Sequence, residues 1–155
     1  MRIAIACDHA GFPLKDVVMQ AVTAAGHEPV DLGTNSTVSV DYPDYAEKLG
    51  RFITSGKADR GILICGSGVG ACVAANKLDG IIAGLCHDVY SARQGVEHDD
   101  MNVLCLGARV LGPALVPDLV QAFLGAEFST EERHRRRVGK IHNLEQNGTT
   151  GSAAS

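Results

Sequence analysis

The sequence predicts an α/β fold: a single domain on a five-stranded parallel sheet with helices on both faces. Three observations carry this. Short apolar runs alternate with amphipathic stretches at helical spacing, five times along the chain. The third run, Gly61 to Cys65, is continuously apolar, the pattern of a strand buried on both faces. No repeat and no linker interrupts the 155 residues, a length usual for one domain, which buries roughly 70% of its unfolded surface.

The elements follow in order. Ile3 to Cys7 is the first strand. Pro13 to Ala25 is a helix, because Leu14, Val17, Val18, Ala21 and Val22 recur on one face, Pro13 suits the first turn and Gly26 the C-terminal cap. Glu28 to Leu32 is the second strand, and Gly33-Thr34-Asn35-Ser36 a polar loop. Asp41 or Asp44 starts a helix that closes near Ser55-Gly56. After the third strand, Gly66-Ser67-Gly68-Val69-Gly70 leads into an alanine-rich helix, Ala71 to Leu78. Ile81 to Leu85 is the fourth strand, Val89 to about Glu97 a helix, and Val103 to Leu106 the fifth strand. Pro113 to Leu124 and Glu131 to about Gln146 complete the domain, residues 1–147. The small polar residues from Gly148 to Ser155 predict a disordered tail.

Composition narrows the function. Hydrophobic residues make up 45% of the chain and charged residues 21%, an ordinary globular balance. A net charge of −4 argues against a nucleic-acid binder, and 5% aromatics with no Trp leaves no base-stacking surface. An anionic small molecule stays open, because clustered arginines focus a field in one cleft. No segment reaches the ~18 apolar residues of a membrane span, so no membrane partner is expected. Met1 to Cys7 runs directly into Asp8-His9 and reads as a strand rather than a signal peptide. The five cysteines form no C-x-x-C pair, which argues against a zinc site, and their odd number fits a reducing cytoplasm. Most read as small buried hydrophobes, with Cys65 the exception.

Ligands of open parallel sheets bind beyond the carboxyl ends of the strands. The predicted fold gathers Asp8-His9, Cys65 to Gly70, Cys86 to Asp88 and Gly107 to Arg109 on that edge. Three glycines between a buried strand and a helix let the backbone approach a ligand, and the helix start offers free N–H groups for an anion. The same field favours the thiolate of Cys65. A tight turn with an inert cysteine has the same pattern. So does a dinucleotide fingerprint, through Gly66, Gly68, Ala71 and Asp88, although it follows the third strand rather than the first. Asp8-His9 suits sugar hydroxyls or a plain helix cap. His98-Asp99-Asp100 suits a site or a solvated loop. Arg133 and Arg137 lie four apart on one helix face, placed for a phosphate or for solvent. Tyr42, Tyr45, Phe12, Phe52, Phe123 and Phe128 read as core or interface.

Taken in order, several motifs resemble the ribose-5-phosphate isomerase B family, whose wider membership includes galactose-6-phosphate isomerase subunits. They are Cys7-Asp8-His9-Ala10-Gly11, Asp41-Tyr42-Pro43, Ile64-Cys65-Gly66-Ser67-Gly68-Val69-Gly70, Ala74-Ala75-Asn76-Lys77, His98-Asp99-Asp100-Met101-Asn102-Val103, Leu106-Gly107-Ala108-Arg109, and Arg133-His134 with Arg137. The resemblance spans about Ile3 to Glu145. It implies a Rossmann-like α/β/α sandwich, a homodimer or dimer of dimers, and no metal or organic cofactor. It implies interconversion of D-ribose 5-phosphate and D-ribulose 5-phosphate, with Cys65 as base and His98 opening the furanose ring. It also places Asp8 and His9 on the sugar. Gly66, Ser67, Gly68, Val69 and Gly70 would form the anion hole, and Asp99, Arg109, Arg133 and Arg137 would line the substrate site, arginines on the phosphate. With Cys65 in place and no Glu between it and Leu78, the chain resembles the cysteine type. A galactose or allose 6-phosphate is the competing substrate. A dinucleotide-binding protein and a non-catalytic phosphosugar-binding module are the rival classes.

Overall fold

The computed structural model describes residues 1–148. The chain runs β1 (Arg2–Cys7), α1 (Phe12–Ala24), β2 (Glu28–Asp31), α2 (Tyr42–Thr54), β3 (Arg60–Cys65), α3 (Val69–Ala75), β4 (Ala83–Leu85), α4 (Val89–Asp99), β5 (Val103–Gly107), a short 3₁₀ turn (Pro113–Leu115), α5 (Val116–Gly125) and α6 (Glu132–Asn147). The five strands form one parallel sheet in the order β2-β1-β3-β5-β4. The expected single α/β domain is therefore present.

Strand periodicity sorts the core into two layers. Ile3, Ile5, Ile62, Ile64, Leu104 and Leu106 point to one face, where α1, α4 and α5 cover them with Val18, Val22, Val96, Leu119 and Phe123. The intervening residues Ala4, Ala6, Leu63, Cys65, Val103 and Cys105 point to the other face, under α2 and α3. Small side chains on that second face let α3 sit close to the sheet. Helix α6 stands apart: it packs on α4, and only His134 and Val138 are buried along its length.

Four boundaries differ from expectation, each for an identifiable reason. The predicted helix Pro113 to Leu124 is a 3₁₀ turn followed by α5. Pro117 has no N–H and its ring crowds the carbonyl four residues back, so the α-helix restarts there. The fourth strand begins at Ala83 rather than Ile81. Ahead of it, Asn102 Oδ1 accepts from the Ile82 N–H at 2.9 Å, and the Asn76 amide both accepts from Ala83 N–H and donates to Ala83 O. Because Asn76 makes that pair, α3 stops there instead of at Leu78. Gly148, assigned to the tail from the sequence, donates its N–H to Leu144 O at 2.9 Å and closes α6. The rest of the predicted tail, 149–155, lies outside the described residues.

In this strand order the chain leaves β1 toward one edge of the sheet and β3 toward the other. The two carboxyl ends therefore open a crevice between them. That crevice is where the chemistry-bearing loops meet.

Candidate active site

The β1–α1 and β3–α3 turns meet at one very close approach. A Cβ on Gly11 would lie 2.2 Å from Ile64 O and 2.5 Å from Ile64 C, so only hydrogen fits there. The Asp8 N–H donates to Ile64 O at 3.2 Å, and Asp8 Oδ1 accepts from the Gly11 N–H at 2.8 Å. Asp8 thus holds its own turn while its carboxylate, buried at 5% exposure, borders the crevice. On the other side, Ala108 N–H donates to Cys65 O and Arg109 N–H to Gly66 O. These bonds lay the β5 loop over the β3 loop and bring the Arg109 guanidinium against Gly66.

The result is a cleft of about 370 Å³ lined by Asp8, His9, Tyr42, Cys65, Ser67 and Arg109, with Ala10, Gly66, Gly70 and Val110 completing the wall. Cys65 Sγ accepts from the Gly68 N–H at 3.1 Å. That donor is aimed by the left-handed backbone of Gly68, φ +80°, a conformation glycine adopts without strain. Ser67 Oγ accepts from the Val69 N–H at 3.2 Å. Two of the N–H groups expected to face an anion are thus turned onto the loop's own sulfur and hydroxyl, and Gly68 and Val69 do not line the cleft. With α3 only seven residues long, the individual N–H donors matter more here than a summed helix dipole.

His9 is fixed from a distance. Lys15 is buried at 4% exposure and its three N–H bonds meet three acceptors: Asp31 Oδ2 at 2.9 Å, Thr34 O at 2.8 Å and Asn35 Oδ1 at 2.8 Å. This pins the β2–α2 connection, whose Val40 N–H donates to His9 Nδ1 at 3.1 Å. An accepting Nδ1 places the imidazole proton on Nε2. The same connection delivers Asp41, the residue before α2, and the Tyr42 ring, which stands over Gly70: a Cβ there would come within 2.8 Å of Tyr42 Cζ. Tyr42 was read as core or interface from the sequence. It is 42% exposed and part of the cleft, and its place beside Asp41 and Pro43 in a turn was the available signal.

The remaining candidates lie elsewhere in the chain. His98 and Asp99 end α4, and Arg133 and Arg137 lie on α6; none of the four lines the cleft. A second cluster forms around His134: its ring stacks on that of His98 with centroids 4.0 Å apart, and Arg133 and Arg137 lie near it. Gln94 Nε2 lies 2.8 Å from His98 Nδ1. Burial pushes the proton off His134, helped by His98, Arg133 and Arg137 and opposed by Glu131. Arg133 pairs with Glu131, Arg136 with Glu132 at 2.6 Å. Arg137 is exposed.

The residues after β4 do not reach the cleft either. His87 Nε2 accepts from the Gly107 N–H at 2.9 Å, and Asp88 Oδ1 caps α4 by accepting from the Ser91 N–H at 2.7 Å. That bond holds Asp88 below the usual carboxylate range. Among the other cysteines, burial pushes Cys7 and Cys86 up to about 11, as expected of inert thiols. Cys72 departs from that expectation: a hydrogen bond with the Cys105 thiol brings it down to about 7.

The fold and the sequence recur in known proteins. The Ribose/Galactose Isomerase family model matches residues 3–141. Ribose-5-phosphate isomerase B of Escherichia coli is 44% identical over 145 residues, 94% of this chain and 97% of its own length. A galactose-6-phosphate isomerase subunit of Clostridium acetobutylicum is 33% identical over 147 residues, 95% of this chain and 85% of its own. The solved ribose-5-phosphate isomerase B of Clostridium thermocellum superposes with a TM-score of 0.91 at 46% identity, covering 95% of this chain and 99% of its own. The fold and the sequence are thus those of a sugar-phosphate isomerase. The chain belongs to the Ribose/Galactose Isomerase family.

Proposed function

We propose that this enzyme interconverts D-ribose 5-phosphate and D-ribulose 5-phosphate, with Cys65 as the base that moves a proton between C2 and C1. The observation that carries this is the placement of Cys65 Sγ at the mouth of the β1/β3 crevice, beside Asp8, His9 and Arg109 and under the Gly68 N–H. The thiolate takes the C2 proton of the open-chain aldose, the C1 aldehyde oxygen becomes the enediolate oxygen, and the Cys65 thiol, whose proton exchanges with water, delivers a proton to C1. The hydroxyl proton of O2 moves to O1, which completes the ketose without an external reductant. Such a step needs a base active near neutral pH and donors for the growing oxyanion. The Gly66 to Gly70 backbone and Ser67 are those donors, with N–H groups that leave Cys65 Sγ and Ser67 Oγ when an oxyanion arrives. Asp8 and His9 hold the sugar, His9 through its Nε2–H. Arg109, Arg133 and Arg137 bind the phosphate, whose remote binding energy orients the reacting carbons.

His98, Asp99, Arg133 and Arg137 lie outside the cleft of their own chain. The reading therefore includes a homodimer in which α4 and α6 of one subunit complete the cleft of the other. Complementation tests it. Cys65→Ala and His98→Asn are each inactive as homodimers. Mixed at equal amounts and re-equilibrated, they recover about a quarter of the parent activity, because half the dimers then carry one intact site of two. No recovery, with mixed dimers shown by mass spectrometry, would place the whole site in one chain.

Arg137→Ala raises the Michaelis constant for the phosphorylated sugar by roughly tenfold, the loss of one charge-assisted bond pair, and leaves the melting temperature unchanged. An unchanged constant would return Arg137 to a plain solvent-facing role. The competing reading is a hexose 6-phosphate, which the similarity to a galactose-6-phosphate isomerase subunit supports. Comparing kcat/KM for ribose, allose and galactose phosphates decides between them. No helix among the described residues is long and apolar enough to cross a membrane, consistent with a cytoplasmic enzyme of pentose phosphate metabolism.

A further inference from the structure

His134 is 4% exposed, and its Nδ1 has no hydrogen-bond partner among the described residues. An aliphatic side chain would fill the same place without stripping water from a polar nitrogen. Packing alone therefore does not account for an aromatic heterocycle there. What the ring does is visible in its contact: it lies face to face with His98, centroids 4.0 Å apart and planes 21° from parallel. The edge of His98 is held separately. Gln94, one turn earlier on α4, places Nε2 at 2.8 Å from His98 Nδ1. An amide NH₂ only donates, so Nδ1 accepts and the His98 proton sits on Nε2. One neighbour thus restrains the plane of the ring and the other its rotation and tautomer. Both restraints are present without any substrate.

We propose that His134, with Gln94, is a positioning residue for His98, holding that imidazole in one rotamer with Nε2–H as its free donor. The proposal rests on the isomerase reading only for its kinetic consequence: His98 then serves opening of the furanose ring and not the proton transfer at Cys65. The stack also joins α6 to α4, so the helix that carries Arg133 and Arg137 is registered against His98 by the same contact. A ring that must donate to a sugar oxygen benefits from being held, since a displacement of about 1 Å at a reacting group costs up to ~10²-fold.

The chemistry of the two sugars separates the steps. Ribose 5-phosphate is mostly a closed furanose and must open before it reacts. Ribulose 5-phosphate cannot close one, because its C5 oxygen carries the phosphate. Exchange of its C1 proton with D₂O therefore reports the Cys65 step alone, and turnover of ribose 5-phosphate reports ring opening as well. His134→Leu and Gln94→Leu are each expected to lower ribose 5-phosphate turnover by roughly 10- to 100-fold while C1 exchange stays within about threefold of the parent. His134→Phe, which restores a flat face, recovers most of the turnover lost in the leucine variant.

Nitrogen-15 NMR of the His98 ring gives a readout free of any substrate. The parent shows a single tautomer with Nδ1 unprotonated, and His134→Leu shows a mixture. Equal loss of exchange and turnover in folded His134→Leu, parent-like turnover, or an unchanged tautomer overturns the proposal. Should His134→Leu not fold, Gln94→Leu and His134→Phe carry the same comparison. C1 exchange that survives Cys65→Ala overturns Cys65 as the base instead, and leaves the NMR result standing as the test of the positioning role.

Discussion

Cys65→Ala is expected to lower ribose 5-phosphate turnover by ~10²-fold or more, the scale of losing a general base, and to abolish C1 proton exchange equally. The change is clean on structural grounds. Sγ accepts one hydrogen bond, from the Gly68 N–H, so its loss costs the fold about 1 kcal/mol. For a domain of this size that is a fall of about 2–4 °C in melting temperature, and the enzyme stays folded at assay temperature. Cys65→Ser is the useful companion. Its hydroxyl still accepts from Gly68 and keeps the loop intact, but at neutral pH it is not ionised and does not replace the thiolate. Stopped-flow turnover and NMR exchange on both variants check the expectation. Parent-like rates in Cys65→Ala would remove this residue from the proton transfer and assign the base to another group.

The second large effect is structural and lies at the joint beneath the site. Gly11→Ala sets a methyl group 2.2 Å from Ile64 O, 2.5 Å from Ile64 C and 3.0 Å from Cys65 N. All three are backbone atoms in the middle of the sheet, where no side chain can swing away. Either the β1–α1 turn lifts or the end of β3 yields. Overpacking of this kind costs about 3 kcal/mol, a fall of roughly 6–12 °C in melting temperature for a chain of this length. The lifted turn also carries Asp8, whose carboxylate bonds the Gly11 N–H, and His9. Activity should therefore fall even well below the melting point, with a raised KM for the sugar. A melting temperature within 2 °C of the parent, read by calorimetry, would show that the approach is looser than these distances state.

Helix and strand identity was legible in the sequence because apolar spacing reports burial directly. The β3 run Gly61 to Cys65 is the plainest case: it lies at the centre of the sheet and is buried on both faces. The departures around β4 came from groups whose effect depends on a distant partner. Asn76 and Asn102 replaced ladder bonds before β4, and neither residue advertises that role locally. Pro117 was the local signal for the break before α5, and it was outweighed by the continuous apolar pattern around it.

The site was legible to a similar depth. The strand-end rule collected Asp8, His9, Cys65, Ser67 and Arg109, and all five line one cleft. The same rule also collected Cys86 to Asp88, which do not reach it, because His87 and Asp88 are engaged by Gly107 and Ser91. Tyr42 escaped because its position over Gly70 depends on the fold of the long β2–α2 connection, anchored by buried Lys15. His134 escaped because an arginine-rich run reads as a solvated face, and only the packing of α6 on α4 shows which of its residues turns inward.

By itself, then, the sequence determined the α/β class, the parallel sheet and the placing of Cys65 before a glycine loop at a strand's carboxyl end. These follow from periodicity and backbone sterics, which act over a few residues. Only the tertiary structure decided which loops meet. The Gly11 approach to β3 and the His98–His134 stack join residues 53 and 36 positions apart. Such contacts are selected by the packing of whole elements, and no local pattern encodes them.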